Sequence, residues 1–183
     1  MTDREAVVET VVAAFADDPA FRYFFAESYR FDEQARLFIG YLFDKRVSLN
    51  TVWITSGAEA VAMWSPPDEP GETGTSDPGY DEVMDRLGAA GERIHRYDAP
   101  VEAALPDSYW YLGILATRPQ HRGRRLGRIA MAAGVAVAAD SGFPAFLETT
   151  NPANVAVYES AGWKVHTEFD VELLHIWVFR HDG

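Results

Sequence analysis

The stretch from Ser108 to Ala139 constrains this chain more than any other. It runs from an apolar segment, Ser108 to Thr117, through an arginine-rich turn into an alanine-rich segment, Leu126 to Ala139. The first is long and apolar enough to be a strand in the middle of a sheet, and Gly113 within it predicts a bulge or a close backbone approach. The second has the small residues of a helix packed on a sheet, and it ends before Ser141 and Gly142. Strand, turn and helix in direct succession predict a layered fold with both element types in one core.

The turn itself has the makings of an anion site. Arg118, Arg122, Arg124, Arg125 and Arg128 stand around Gly123 and Gly127 where the helix begins. The free amides of a first helical turn point outward, the helix dipole adds about half a positive charge, and glycine lets an oxyanion approach the backbone. A solvated basic turn is the alternative reading. The rest of the chain has the opposite sign, with a formal net charge of −12. Such a surface repels nucleic-acid phosphates, so nucleic acid is not an expected partner, and an anionic ligand has to be met at this local reversal of sign.

Composition narrows the chemistry further. A chain of 183 residues suits a single domain spanning 1–183, and 48% hydrophobic with 13% aromatic residues is enough to build a packed core. Cysteine is absent, which removes disulfides, thiolate metal sites and a cysteine nucleophile; no metal cofactor is expected. The acidic, amphipathic start lacks the basic and apolar regions of a secretory signal. The longest uncharged apolar run, Ile129 to Ala139, is about half of the roughly 18 residues needed to cross a bilayer. The expected setting is therefore the cytoplasm, without a membrane. The P-loop, the dinucleotide G-x-G-x-x-G, the G-x-S-x-G nucleophile elbow and the H-E-x-x-H zinc motif are all missing.

Elsewhere the pattern predicts a first helix opened by a Thr2–Glu5 capping box, carrying Val7, Val8, Val11, Val12 and Phe15, and stopping near Asp17 to Pro19. A second helix is expected from Asp32 to about Lys45, with Leu37, Phe38, Tyr41 and Leu42 inward. Thr51–Thr55 and Glu59–Ser65 read as a hairpin around Ser56-Gly57, Asp68–Gly79 as a surface loop, and Asp81 to Arg96 as one helix. Ala145–Thr149 is a short buried strand. Asn151 and Pro152 open a further helix as cap and first residue, Gly162 stops it, and Trp163–Phe179 supplies two more strands.

These residues resemble a known family. Arg122-Gly-Arg-Arg-Leu-Gly127, between strand and helix, looks like the coenzyme A pyrophosphate motif of GNAT acetyltransferases, and PAFLETTNPANVAVYESAGW is similar to that family's second half. Within the superfamily the segments AFADDP, VAMWSPP, PAFLET and N-x-x-x-Y-E resemble the puromycin N-acetyltransferase-like group. The resemblance implies a mixed αβ fold, a central twisted and mostly antiparallel sheet flanked by helices. It implies acetyl-CoA as co-substrate, and transfer of its acetyl group to an amine of a small molecule or peptide by direct attack in a ternary complex. Leu115, Ala116 and Thr117 would offer backbone groups to the pantetheine arm, and Gly123, Arg124, Arg125, Leu126, Gly127 and Arg128, with Arg122, would hold the pyrophosphate. Asn154 matches a coenzyme contact, whereas Asn151 also fits a plain cap.

The same resemblance makes Tyr158 the general acid for the departing thiolate; a packing role is its alternative. Glu148, at a strand end, is the candidate that removes the amine's proton, directly or through water, or else a carboxylate in an ion pair. If it is the base, its loss is expected to tell most at low pH, where free amine is scarcest. Arg125 departs from the motif by replacing its middle glycine, and because positive φ is costly for arginine an ordinary helical or bridge conformation is expected there. A catalytically silent acyl-CoA-binding sensor or assembly module is the alternative function. Oligomeric state, a homodimer included, is not legible.

Overall fold

The computed structural model describes residues 3–27, 29–67 and 77–182. Seven α-helices and six strands follow one another in it: α1 (Asp3–Ala14), α2 (Pro19–Phe24), α3 (Phe31–Ser48), β1 (Val52–Ile54), β2 (Ala60–Ser65), α4 (Pro78–Leu87), α5 (Ala89–Ala103), β3 (Trp110–Thr117), α6 (Leu126–Ser141), β4 (Ala145–Thr149), α7 (Pro152–Glu159), β5 (Lys164–Val171) and β6 (Leu174–His181). The strands form one sheet in the order β1-β2-β3-β4-β6-β5. Every neighbouring pair is antiparallel except β3 with β4. The expected mixed fold, a mostly antiparallel sheet with helices on both faces, is the one observed.

The two faces bury separate cores. On one face Val61, Met63, Ile114, Ala116, Phe146, Ile176 and Val178 pack under α1, α3 and α5; on the other Ala62, Trp64, Leu112, Leu147 and Phe179 pack with α6, Tyr158 and Trp163. Strand residues alternate between faces, yet Leu112 and Ile114 lie in different cores. The reason is a bulge at Gly113. Met63 pairs with Ile114 and Trp64 with Leu112, so Gly113 is left without an opposite residue and the alternation shifts by one. Helix α6 lies close on the second face because Gly134 meets the Trp64 indole: a Cβ there would stand 2.2 Å from a ring carbon.

Strands β3 and β4 pair only through Trp110 with Ala145 and Tyr111 with Phe146. Beyond those residues they separate, leaving one backbone edge of β3 open from Leu112 onward and β4 continuing alone with β6. A wedge opens in the middle of the sheet. The turn before α6 and the N-terminus of α7 stand at its ends, since each helix follows directly on one of the two strands.

Several boundaries differ from the sequence reading. Asp18 and Pro19 do not just end α1: Asp18 caps α2, accepting from the amides of Ala20 and Phe21 at 3.0 and 3.2 Å. The single helix expected from Asp81 to Arg96 is two helices, α4 and α5, broken at Gly88, whose φ of 57° suits glycine. Helix α4 begins earlier, at Pro78 behind the cap Asp77, and α5 runs on to Ala103. Thr2, and positions 68–76 of the expected loop, lie outside the described residues. Leu37, Tyr41 and Leu42 are only half-buried, because α3 turns Phe31, Ala35, Ile39 and Phe43 inward beside Phe38.

Arg125 overturns the expectation made for it. Its φ is 60° and ψ 17°, the left-handed conformation its motif position would give a glycine. The strain, about 1 kcal/mol for a residue with a Cβ, has a local cause. Gly123 at φ 79° and Arg125 are two left-handed residues in quick succession, and they swing the chain from the short turn Pro119–His121 into α6. Arg125 then caps the helix with its carbonyl, which accepts from Ile129 at 3.2 Å.

Candidate active site

The wedge widens into a cleft of about 1510 Å³ that passes from the first face of the sheet to the turn before α6. At its α6 end stand Leu115, Thr117, Arg122, Gly123, Arg125, Leu126, Gly127, Arg128, Asn151, Asn154 and Tyr158; Ala116 points into the core instead, and Arg124 is not in the wall. No side chain caps α6, so the amides of Leu126, Gly127 and Arg128 are left as free donors at the start of a 16-residue helix. Gly127 is needed for close packing, since a Cβ there would meet Thr117 Oγ1 at 2.9 Å.

The five arginines divide sharply. Arg118 is a structural clamp, its guanidinium donating to Thr10 at 2.8 Å and to Glu9 at 3.1 Å on α1. Arg122 donates to the Ala14 carbonyl at 3.1 Å, and Arg124 turns to Glu59 at 3.4 Å and His121 at 2.8 Å. Arg125 and Arg128 form no ion pair with a described residue. Two unpaired cations, three free amides and a left-handed residue beside them make a cradle suited to a phosphate-sized anion.

On α7, the Asn151 side chain accepts from the Ala153 amide at 3.0 Å, so it is a helix cap, while Asn154 donates to Thr149 Oγ1 at 3.3 Å. Tyr158 is 8% exposed, its ring tilted against Phe179 and set edge-on to Trp163. No described residue hydrogen-bonds its hydroxyl. Burial, reinforced by the charge of Glu148, raises its pKa well above that of an ordinary tyrosine. It therefore stays protonated at any physiological pH, and the residue lines the cleft.

At the other end of the wedge Glu148, the fourth residue of β4, faces the first core. The hydroxyls of Tyr111 on β3 and Tyr97 on α5 both donate to its carboxylate, the latter at 3.4 Å. Tyr97 is fixed by Phe24, edge to face at 5.0 Å. Burial raises the Glu148 pKa to about 7, opposed by the Tyr111 hydrogen bond and helped by the charge of Asp98. Asp98, beside Tyr97 in sequence, is raised to about 7 by burial too, and accepts from Tyr80 at 3.0 Å. Carboxyls that titrate near neutrality can take a proton from an ammonium group and hand it on.

Tyr97, Asp98, Tyr111, Tyr80 and Arg46, which line the cleft around Glu148, were not found by sequence reasoning. Tyr97 and Asp98 fell just past the expected end of a helix at Arg96, and Tyr111 reads as one more aromatic in an apolar strand. Among the described residues there is no group of three or more His, Asp or Glu placed to hold a metal ion, and no helix is long and apolar enough to cross a membrane.

Comparison with known proteins accords with this geometry. The model of the Acetyltransferase (GNAT) family matches residues 87–163, the part that carries α5, β3, the arginine turn, α6, β4 and α7. A histone acetyltransferase HPA2-related acetyltransferase from Corynebacterium glutamicum superposes with a TM-score of 0.66 at 18% identity, over 99% of this chain and 92% of that one. Polyamine N-acetyltransferase from Drosophila melanogaster gives 0.66 at 16% identity over 99% and 95%. The C-terminal condensation domain of Ebony, solved with beta-alanyl-dopamine, gives 0.69 at 12% over 98% and 94%. The likeness in fold runs over nearly the whole chain: this protein has the GNAT acetyltransferase fold.

Proposed function

We propose that the chain is an acetyl-CoA-dependent N-acetyltransferase acting on an amine of a small molecule or peptide, by direct attack within a ternary complex. The observation that carries this is the placing of Glu148 and Tyr158 in one cleft, a near-neutral carboxyl at one end of the sheet's wedge and a protonated phenol towards the other. The cleft also joins both to the anion cradle of α6.

The residues present fit the coenzyme. Arg125 and Arg128, with the amides of Leu126 to Arg128, would take its pyrophosphate, and the open edge of β3 at Leu115 to Thr117 would pair with the pantetheine amides, while Asn154 would face the same arm. When bound, acetyl-CoA supplies an acetyl group activated as a thioester. Glu148 draws the proton from the incoming ammonium, whose ordinary pKa of about 10.4 would otherwise keep its lone pair unavailable. Tyr111 and Tyr97 hold that carboxylate in place. Tyr158 donates to the sulfur as it leaves; a thiolate of pKa about 8.5 departs more readily with a donor in reach.

The test is release of free thiol from acetyl-CoA across a panel of amines, aminonucleosides and peptide N-termini. Turnover that falls about 100-fold in Tyr158→Phe, and by at least as much in Glu148→Gln above pH 8, coenzyme affinity being kept, supports the reading. Tight coenzyme binding with no thiol released from any amine would favour the silent acyl-CoA-binding module.

A further inference from the structure

Arg46, in the last turn of α3, is 8% exposed and lines the cleft. Its Nη1 reaches only the Leu42 carbonyl, at 3.4 Å, and its Nε has no hydrogen-bond partner. Nη2 lies beside the bulge, 3.0 Å from where a Cβ of Gly113 would be, so the glycine also makes room for the guanidinium. No carboxylate among the described residues pairs with it; the groups close enough to influence it are the hydroxyls of Tyr111 and Tyr41. Its neighbour Lys45 is different, being held by Asp77 at 2.7 Å.

An arginine cannot shed its charge, and burying one without a counter-ion is strongly unfavourable. Among the described residues it joins no two elements by an ion pair. The cleft around it holds the missing complement in reverse. Glu148, Asp98 and Asp18 line the same cavity, and Tyr111 spans the interval, giving its hydroxyl to Glu148 while Arg46 stands two residues along at Gly113.

We infer that the acceptor amine carries a carboxylate of its own, which Arg46 binds while the amine meets Glu148, so that the substrates are amino acids or similar amino-carboxylates. This rests on the proposed acetyl transfer and names its substrate class. A carboxylate is favoured over a phosphate because the guanidinium fork matches a planar carboxylate with two parallel hydrogen bonds, and the other unpaired cations of the cleft among the described residues, Arg125 and Arg128, belong to the cradle at the start of α6. The side chain is a binding and specificity residue, with no part in proton transfer.

The experiment measures binding before chemistry. The common amino acids, β-alanine and 4-aminobutyrate, each paired with its carboxamide, are titrated calorimetrically into the full chain saturated with coenzyme A, and phosphoethanolamine is included. At least one acid is expected to bind roughly 10- to 100-fold more tightly than its own amide, the size of a charge-assisted pair. Arg46→Gln should remove that preference by weakening the acid alone. Because the acid and amide are compared first in the unaltered protein, the result does not depend on how the variant folds. Amides that bind as well as acids, an equal loss of both in Arg46→Gln, or no binding by any acid would each overturn the inference. So would phosphoethanolamine binding above every carboxylate, which would reassign Arg46 to phosphate. Thiol release measured on the same panel separates the two claims. Acid-selective binding without turnover would leave the carboxylate site standing and defeat the acetyltransferase reading, whereas turnover of acids and amides alike would do the reverse.

Discussion

The carboxylate of Glu148 accepts a hydrogen bond from the hydroxyl of Tyr111 across the gap where β3 and β4 part. Tyr111 is the last residue of β3 paired with β4, and it holds the Glu148 carboxylate two residues beyond the end of that pairing. Beyond this point the strands separate, and Glu148 lines the cleft that opens there.

This arrangement reverses the pH dependence expected of Glu148. A base whose pKa is raised to about 7 is already protonated at low pH, so the wild type there has little base to lose. Activity should rise with pH through about 7 as the carboxylate forms. Glu148→Gln should cost about 10²- to 10³-fold in kcat/KM above pH 8, and markedly less below pH 6. Rate profiles from pH 5 to 9, taken with an acceptor of low amine pKa, test this; a loss of the same size at every pH would mean that Glu148 only shapes the site.

Tyr158 has an outcome of a different kind. Its hydroxyl serves no described partner while its ring packs with Phe179 and Trp163, so Tyr158→Phe strands no polar group and should leave stability within about 0.5 kcal/mol of the wild type. As the proton donor to sulfur it should be worth about 10²-fold in kcat, the lower part of the range for general acids because water can partly replace it. Coenzyme affinity should hardly change. Full activity in the phenylalanine variant would remove Tyr158 from the chemistry.

How much of this was legible in the sequence follows the range of each signal. The cap Asn151, the hairpin over Thr51–Ser65 and the strand-turn-helix of β3 and α6 are set by neighbours a few residues apart, and local pattern finds them; α7 ends earlier than Gly162, at Glu159 with Ser160 as its cap. The bulge at Gly113 was visible because glycine inside an apolar strand has few other reasons to be there. The break at Gly88 was not, since glycine is tolerated within many helices and only its positive φ distinguishes it. Tyr97, Asp98 and Arg46 acquire their roles from contacts between α5, α3 and the split sheet, and no local pattern encodes those. Arg125 shows the opposite limit: the motif position prevailed over the residue's own preference for negative φ.

Gly134 tests the packing that holds α6 against the sheet. A methyl group there would stand 2.2 Å from the Trp64 ring, which is itself fully buried and tilted against Trp163 with ring centroids 6.3 Å apart. The indole has no free space to retreat into, so Gly134→Ala should destabilise by about 2–3 kcal/mol, the upper range of overpacking, despite alanine's better helix propensity. Urea unfolding followed by tryptophan fluorescence measures it. A neutral or stabilising outcome would show that α6 can shift on β2, and with it the cradle at its N-terminus.

The last prediction separates the arginines of the turn by what each already does. Arg124 is not in the cleft wall and is occupied by Glu59 and His121, so reversing it should disturb that surface pair and change coenzyme A affinity by less than about threefold, the usual worth of an exposed ion pair. Arg128 stands in the cleft wall without a carboxylate partner, and Arg128→Glu should weaken coenzyme A binding by tenfold or more, an effect that shrinks as salt is raised. Arg125 combines a charge with a strained backbone, and replacing it separates the two. Arg125→Gly relieves a left-handed conformation that costs a side chain about 1 kcal/mol and should raise stability by up to that amount, while keeping the turn geometry and removing one cation. Its affinity should therefore fall by less than that of Arg128→Glu, because a neutral glycine leaves the free amides of α6 in place where a glutamate would repel the phosphate. Arg125→Val, which is β-branched and ill-suited to positive φ, should lose both stability and binding. Calorimetric titration of coenzyme A into the four variants ranks them. Equal affinity in Arg124→Glu and Arg128→Glu would place the pyrophosphate elsewhere, and a stability loss in Arg125→Gly would mean that the arginine side chain, and not the turn, holds this corner together.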